Sequence, residues 1–174
     1  LDLGCGHGGY GLALERAGAH VISLDRQPRD RSQIGFVLGD ALSLPFVCGS
    51  IPFVFCASLI EHVEDPQRLL REIGRILTPQ GCVYLSFPPF YSPVGGHQFK
   101  PYHLLGERAA IYLSRAKSRW GVDSYTAGGL YRLTIRRVRQ LVHQAGFRIW
   151  KESTRYCRLG ASRVPLVGEV VTWH

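Results

Sequence analysis

The chain opens on LDLGCGHGGYG, a short stretch Leu1-Asp2-Leu3 that runs straight into a turn with glycine at 4, 6, 8, 9 and 11. Glycine reaches left-handed backbone angles without strain and leaves room for a ligand to lie against the main chain. A buried strand followed by such a turn and then a helix is the ligand-binding corner of a doubly wound α/β sheet. Gly4-x-Gly6-x-x-Gly9 fits the dinucleotide pattern, and Asp25 lies about 20 residues further on, where a ribose-binding acid belongs. The glycines alone leave a nicotinamide, a flavin or another adenosyl ligand open.

The first half alternates as such a sheet requires. Residues 1–3 read as a strand tail, 10–17 as a helix stopped at Gly18, and 20–24 and 35–38 as strands ending near Asp25 and Asp40. Residues 53–57 form a continuous apolar run of the kind a parallel sheet buries on both faces. Asp65 and Pro66 are a good N-cap and first helical residue, ahead of a stripe of Leu69, Leu70, Ile73, Ile76 and Leu77. Thr78-Pro79-Gln80-Gly81 reads as the stop after that helix, and 82–87 as a fifth strand. The expected fold class is α/β, a Rossmann-like doubly wound, mostly parallel sheet in a single domain over 1–174.

Residues 88–133 break the rhythm with four prolines, two Gly-Gly pairs and eight aromatics, and are expected to be an inserted substrate lid with one helix over 104–118. Order resumes at Thr134, an N-cap for a helix buried along Ile135, Val138, Leu141, Val142 and Ala145. A sixth strand is expected over 147–156. No methionine opens the chain, so it is expected to begin inside its own domain. A final antiparallel strand is expected to be missing, with 169–174 only its approach.

Charge is uneven. Residues 1–99 hold 7 Lys/Arg against 9 Asp/Glu, whereas 100–174 hold 14 against 4. The basic half suits an anionic small molecule, nucleic acid or simply a solvated surface. Five cysteines without a CxxC pair favour a reducing, cytoplasmic setting over disulfides or zinc. No apolar run approaches the roughly 18–20 residues of a membrane span.

The acids narrow the ligand. Asp2 sits two residues before the first glycine, and Asp25 and Asp40 close the second and third strands. Carboxylates there suit an ammonium, a ribose and an exocyclic amine, and repel a pyrophosphate. S-adenosylmethionine carries those groups and no phosphate.

The stretches LDLGCGHGGYGLALERAGAHVISLD, GDALSLPF, CASLIEHVEDPQRLLREIGRILTPQG and VYLSF, in that order, resemble the motifs of class I S-adenosylmethionine-dependent methyltransferases, type 11 group. The resemblance covers residues 1 to about 87 and implies S-adenosylmethionine as cofactor. It implies that Gly4, Cys5 and Gly6 line the methionine part, that Asp25 with Arg26 beside it holds the ribose, and that Asp40 and Ala41 take the adenine. Ala57 and Ser58 would then lie under the sulfonium. One departure is Ile51-Pro52, where the family usually has Phe-Asp.

An acceptor hydroxyl needs a base, and His62 is the best placed, with His97 among the aromatics of the insertion as a second catalytic candidate. His97 and His103 have no paired acids beside them in sequence, so no metal site is expected. The chain reads SLIEHV where methyltransferases of base amines often carry Asn/Asp-Pro-Pro-aromatic. That argues against amine methylation of bases only; the resemblance to a small-molecule group is what implies the expected acceptor, a small molecule at a hydroxyl of a glycan, lipid-linked compound or secondary metabolite. The alternatives are an RNA methyltransferase using the basic half and a non-catalytic cofactor-binding domain.

Overall fold

The computed structural model describes residues 1–28, 35–117, 122–159 and 162–173, with side chains up to residue 153 apart from 116 and 117. Seven strands form one sheet in the order β3-β2-β1-β4-β5-β7-β6. They are β1 (Asp2–Leu3), β2 (Ser23–Asp25), β3 (Phe36–Leu38), β4 (Ile51–Ala57), β5 (Leu77–Phe87), β6 (Arg148–Leu159) and β7 (Ser162–Trp173). β1 to β5 run parallel, and β7 lies antiparallel between β5 and β6. Strand order turns back at β1, so the carboxyl ends of β1, β2 and β4 open onto one crevice.

The last strand corrects the expectation that it is absent. β7 spans Ser162–Trp173 and pairs with β5 only over Gly168–Trp173. Pro165 falls in the half that has β6 on one side and no β5 on the other, where its missing N–H breaks no ladder bond to β5. A second correction concerns Thr78-Pro79-Gln80-Gly81, which is not a turn but the first part of β5. Pairing passes from Ile51–Leu77 to Phe53–Cys82, so the additional residues are absorbed in a bulge against β4.

Helix α1 (Gly9–Arg16) follows the glycine turn and ends at Ala17, with Gly18 at φ +91. Helix α2 (Pro66–Ile76) starts where expected, the Asp65 side chain accepting the Arg68 N–H at 2.9 Å. Its Leu69, Leu70, Ile73 and Ile76 are fully buried with Val54, Cys56, Val83 and Leu85 of the sheet and Val138, Leu141 and Val142 of α4 (Ile135–Gln144). Each such side chain contributes roughly 1.5–3 kcal/mol through burial. α1 covers the other face, where Tyr10 meets Phe55 at 5.0 Å and Phe55 stacks on Tyr84 at 4.8 Å.

The insertion carries a small core of its own, Phe90, Phe99, Ala110, Tyr125 and Leu130. Arg132 lies over the rings of Phe90 and Tyr125 and pairs with Glu107 at 2.7 Å. Its expected single helix is divided: a 3₁₀ turn at Tyr102–Leu105 precedes α3 (Glu107–Lys117), with Gly106 at φ +93 between them. Trp120 lies outside the described residues.

One clip ties α2 to the crevice. Glu72 accepts from the Leu44 N–H at 2.8 Å and from Arg75, and Arg75 donates to the carbonyls of Leu44 and Phe46. The segment that carries Asp40 and Ala41 is thereby fastened to the helix. The hydrogen bonds and positive charge of Arg75 hold the Glu72 carboxyl below the usual carboxylate range. Its stabilisation is therefore complete above the unfolded pKa of about 4.3 and is lost as pH falls through the depressed folded value. Glu72→Gln is expected to cost about 1–3 kcal/mol at neutral pH. In denaturant titrations the gap between parent and variant should narrow below about pH 4; a gap that persists unchanged into acid would rule the clip out.

Candidate functional site

The crevice is built from the first turn outward. Gly4 at φ +71 leaves β1, and a Cβ there would lie 2.8 Å from the Leu59 side chain. Gly6 at φ +47 donates its N–H to Asp25 Oδ2 at 2.8 Å, and Gln27 donates to Oδ1 at 3.0 Å. One carboxylate at the end of β2 therefore holds the turn between β1 and α1. A Cβ at Gly6 or Gly9 would meet no protein atom within 4 Å, so the turn presents bare backbone to the outside.

Beside it is a cavity of about 370 Å³ lined by Gly4, Asp25, Arg26, Asp40, Ala41 and His62, among others. Asp40 closes a tight turn, its Oδ1 accepting from the Leu42 N–H at 2.9 Å. Among the described residues Glu64 adds a third carboxylate to the lining, against one guanidinium, that of Arg26.

The other expected site residues lie around this cavity rather than on its described wall. Asp2 is buried, 2% exposed, and a Cβ at Gly11 of α1 would lie 3.0 Å from its Oδ2. Cys5 is buried behind the turn. Ala57 ends β4, and Ser58, at φ +52, donates its N–H to the Ser86 carbonyl at 2.8 Å. Burial, then the charges of Glu61 and Asp2, push the thiol of Cys56 well up, so it stays protonated.

His62 stands at the junction of this cavity with a second one of about 350 Å³, lined by residues 126–129 of the insertion and sharing Arg26, His62 and Tyr131 with the first. Its Nδ1 lies 2.6 Å from the Gly129 carbonyl oxygen. A carbonyl only accepts, so Nδ1 carries the proton and the neutral ring keeps its lone pair on Nε2. His97 meets His62 edge to face at 4.6 Å, and its Nε2 lies 3.4 Å from Oε1 of Glu61, a carboxylate 1% exposed. His103 is buried in the insertion with Nε2 3.0 Å from the Ser92 carbonyl.

Sequence reasoning missed Glu61, Leu59 and Tyr131. Glu61 carried a signal in its place beside His62. Tyr131 carried none, since only folding brings its N–H to the Glu61 carbonyl, at 2.8 Å. Among the described residues no helix is long and apolar enough to cross a membrane.

The family profile described as "Methyltransferase domain" matches residues 1–85. An "uncharacterized methyltransferase" of Mycobacterium sp. (strain KMS) is 35% identical over 123 residues, 66% of this chain and 49% of that protein. The chain spans about half the length of the curated relatives it matches. Among solved structures, an S-adenosylmethionine-dependent methyltransferase from Mesorhizobium loti superposes with TM-score 0.70 at 19% identity, covering 99% of this chain and 89% of that one. A Thermotoga maritima protein described as a possible histamine N-methyltransferase superposes with TM-score 0.69 at 18% identity, covering 99% and 80%. At these identities the two structures speak for the fold alone.

Proposed function

Because residues 1–85 of this chain belong to the class I S-adenosylmethionine-dependent methyltransferases, in the type 11 group, we propose that the protein methylates a small-molecule acceptor at a hydroxyl. The observation that carries the reading is the cavity wall, where among the described residues three carboxylates, Asp25, Asp40 and Glu64, stand against one guanidinium, that of Arg26. A pyrophosphate would face that negative charge, whereas a cationic, phosphate-free adenosyl ligand suits it. S-adenosylmethionine supplies a methyl group already activated on a sulfonium.

The chain's own residues then bind, orient and exclude water. The free lone pairs of Asp25 accept from the ribose hydroxyls. Asp40 takes the adenine amine, and the Ala41 N–H a ring nitrogen. The backbone at Gly4, Cys5 and Gly6 lies along the methionine portion, with Asp2 behind it and Ala57 and Ser58 beneath the sulfur. The acceptor, a glycan, lipid-linked or secondary-metabolite hydroxyl, occupies the cavity closed by residues 122–131 of the insertion, which acts as its lid. His62 and His97 handle the hydroxyl proton, Nε2 of His62 being the lone pair between the two cavities.

Calorimetry tests this directly. S-adenosylmethionine and S-adenosylhomocysteine should bind and NAD should not; tight NAD binding without either adenosyl ligand sinks the reading. Product formation over a panel of hydroxyl acceptors separates an enzyme from a cofactor-binding domain. RNA affinity that falls steeply with salt would move the acceptor to nucleic acid.

A further inference from the structure

The carboxylate of Glu61 is 1% exposed, and neither of its oxygens has a hydrogen-bond partner. Leaving a carboxylate buried and unsatisfied is unfavourable by several kcal/mol, so such a group implies a cation. Its surroundings are those of a metal ligand. Glu61, His62 and His97 each offer a donor atom, and all three atoms lie within 4.8 Å of one another. Around an ion with bonds of about 2.0–2.2 Å, neighbouring donors sit roughly 3–3.5 Å apart, so small side-chain rotations close the set.

The supporting shell is already in place. Nδ1 of His62 is fixed on the Gly129 carbonyl at 2.6 Å, a bond that orients the ring and leaves the Nε2 lone pair for an ion. The Glu61 carbonyl accepts the Tyr131 N–H, which anchors the 3₁₀ turn Ile60–His62. His97 holds a left-handed backbone, φ +46, uncommon for a side-chain-bearing residue, and its buried Nε2 makes no hydrogen bond.

We propose that Glu61, His62 and His97 bind one divalent first-row transition metal ion through two imidazole nitrogens and one carboxylate oxygen. Two histidines and a carboxylate leave further coordination positions open and suit zinc, manganese or iron. Its role rests on the methyl-transfer reading of the adjoining cavities; its binding does not. Held at His62, the ion stands where the two cavities meet and takes the acceptor hydroxyl as a ligand. Coordination lowers the hydroxyl pKa, and the proton leaves to water. An oxygen lone pair then forms the O–CH₃ bond while the C–S bond breaks, its electron pair going to sulfur. His62 and His97 thus serve the proton transfer as ligands rather than as free bases.

Cobalt(II) is the probe. The protein is stripped with a chelator and titrated with Co²⁺, read by visible d–d absorption and by equilibrium dialysis, with S-adenosylhomocysteine calorimetry on the same samples. The expected result is one Co²⁺ per chain, weakened more than about tenfold in Glu61→Gln and in His97→Gln, and unchanged in the exposed-histidine control His143→Gln. Glu61 is buried, so circular dichroism accompanies its variant. His97→Gln, in the insertion, keeps the test decisive if Glu61→Gln fails to fold. Absence of d–d bands in the parent, or equal affinity in all variants, overturns the metal site and leaves a metal-free Glu61–His97 ion pair. Loss of S-adenosylhomocysteine binding with Co²⁺ binding intact overturns the cofactor reading instead.

Discussion

Asp25→Ala is expected to weaken S-adenosylhomocysteine binding by about 100-fold, or 2.7 kcal/mol, with the sheet still folded. Asp25 has two tasks in one carboxylate. It accepts the Gly6 and Gln27 N–H groups, which shapes the turn after β1, and in the proposed reading it offers its remaining lone pairs to the ribose. Hydrogen bonds to a charged group contribute roughly 1.5–3 kcal/mol each, so losing the ribose contacts alone reaches this size. Asp25→Asn keeps an acceptor oxygen and loses the charge, and should weaken binding about tenfold, 1.4 kcal/mol. The Gly6 and Gln27 bonds to Asp25 are exposed to water, so each contributes only about 1 kcal/mol and the melting temperature should fall by several degrees without loss of the fold. Calorimetry and thermal melts together read both quantities, and wild-type affinity in Asp25→Ala would remove this residue from the site.

Gly95→Ala should instead damage the insertion and spare the cavity at Asp25 and Asp40. A Cβ at Gly95 would overlap the Pro89 carbonyl oxygen and lie 2.6 Å from the Phe90 carbonyl oxygen. Both obstacles are backbone, so no side chain can rotate out of the way. The segment is also tied locally, Gly95 donating to Ser92 and Ser92 to Pro89. Overpacking of this kind costs about 1–3 kcal/mol or more. For a chain of this size that lowers the melting temperature by about 2–4 °C per kcal/mol. His97 follows two residues later and moves with the turn, so turnover should fall by a larger factor than cofactor affinity. Gly9→Ala is the control, since its Cβ meets nothing within 4 Å. If Gly95→Ala melts with the parent, or Gly9→Ala falls as far, the packing argument fails.

Much of this architecture was legible because local signals and tertiary demands agree. Asp65 and Thr134 cap their helices as read, and the apolar stripes of α2 and α4 are the ones buried. The glycine turn, Asp25 and Asp40 were legible because one loop and two strand ends carry them in a fixed order. Where local signals misled, packing overrode them. Pro79 and Gly81 punctuate a turn in most contexts, yet β4 offers a register that absorbs them in a bulge. Pro165 and Gly168 hid β7, whose pairing partners lie at residues 82–87 and 148–159 and are set only by long-range contact.

The aromatics of the insertion could not be apportioned by inspection either. Phe90, Phe99 and Tyr125 turn out to be its core, whereas Tyr91 and Tyr112 are exposed.

The linear chain therefore dictates the parallel half of the sheet, its helices and the acidic residues at the strand ends around the crevice. Each depends on residues close in sequence and on side-chain periodicity. The meeting of Glu61, His62, His97 and Gly129 depends on folding. An acid and a histidine after β4 gain their chemistry only when the insertion brings a second imidazole to 3.4 Å from the acid and a carbonyl to 2.6 Å from the ring. No local pattern encodes contacts across 36 and 67 residues of chain, because closing such loops is decided by the packing of the whole domain.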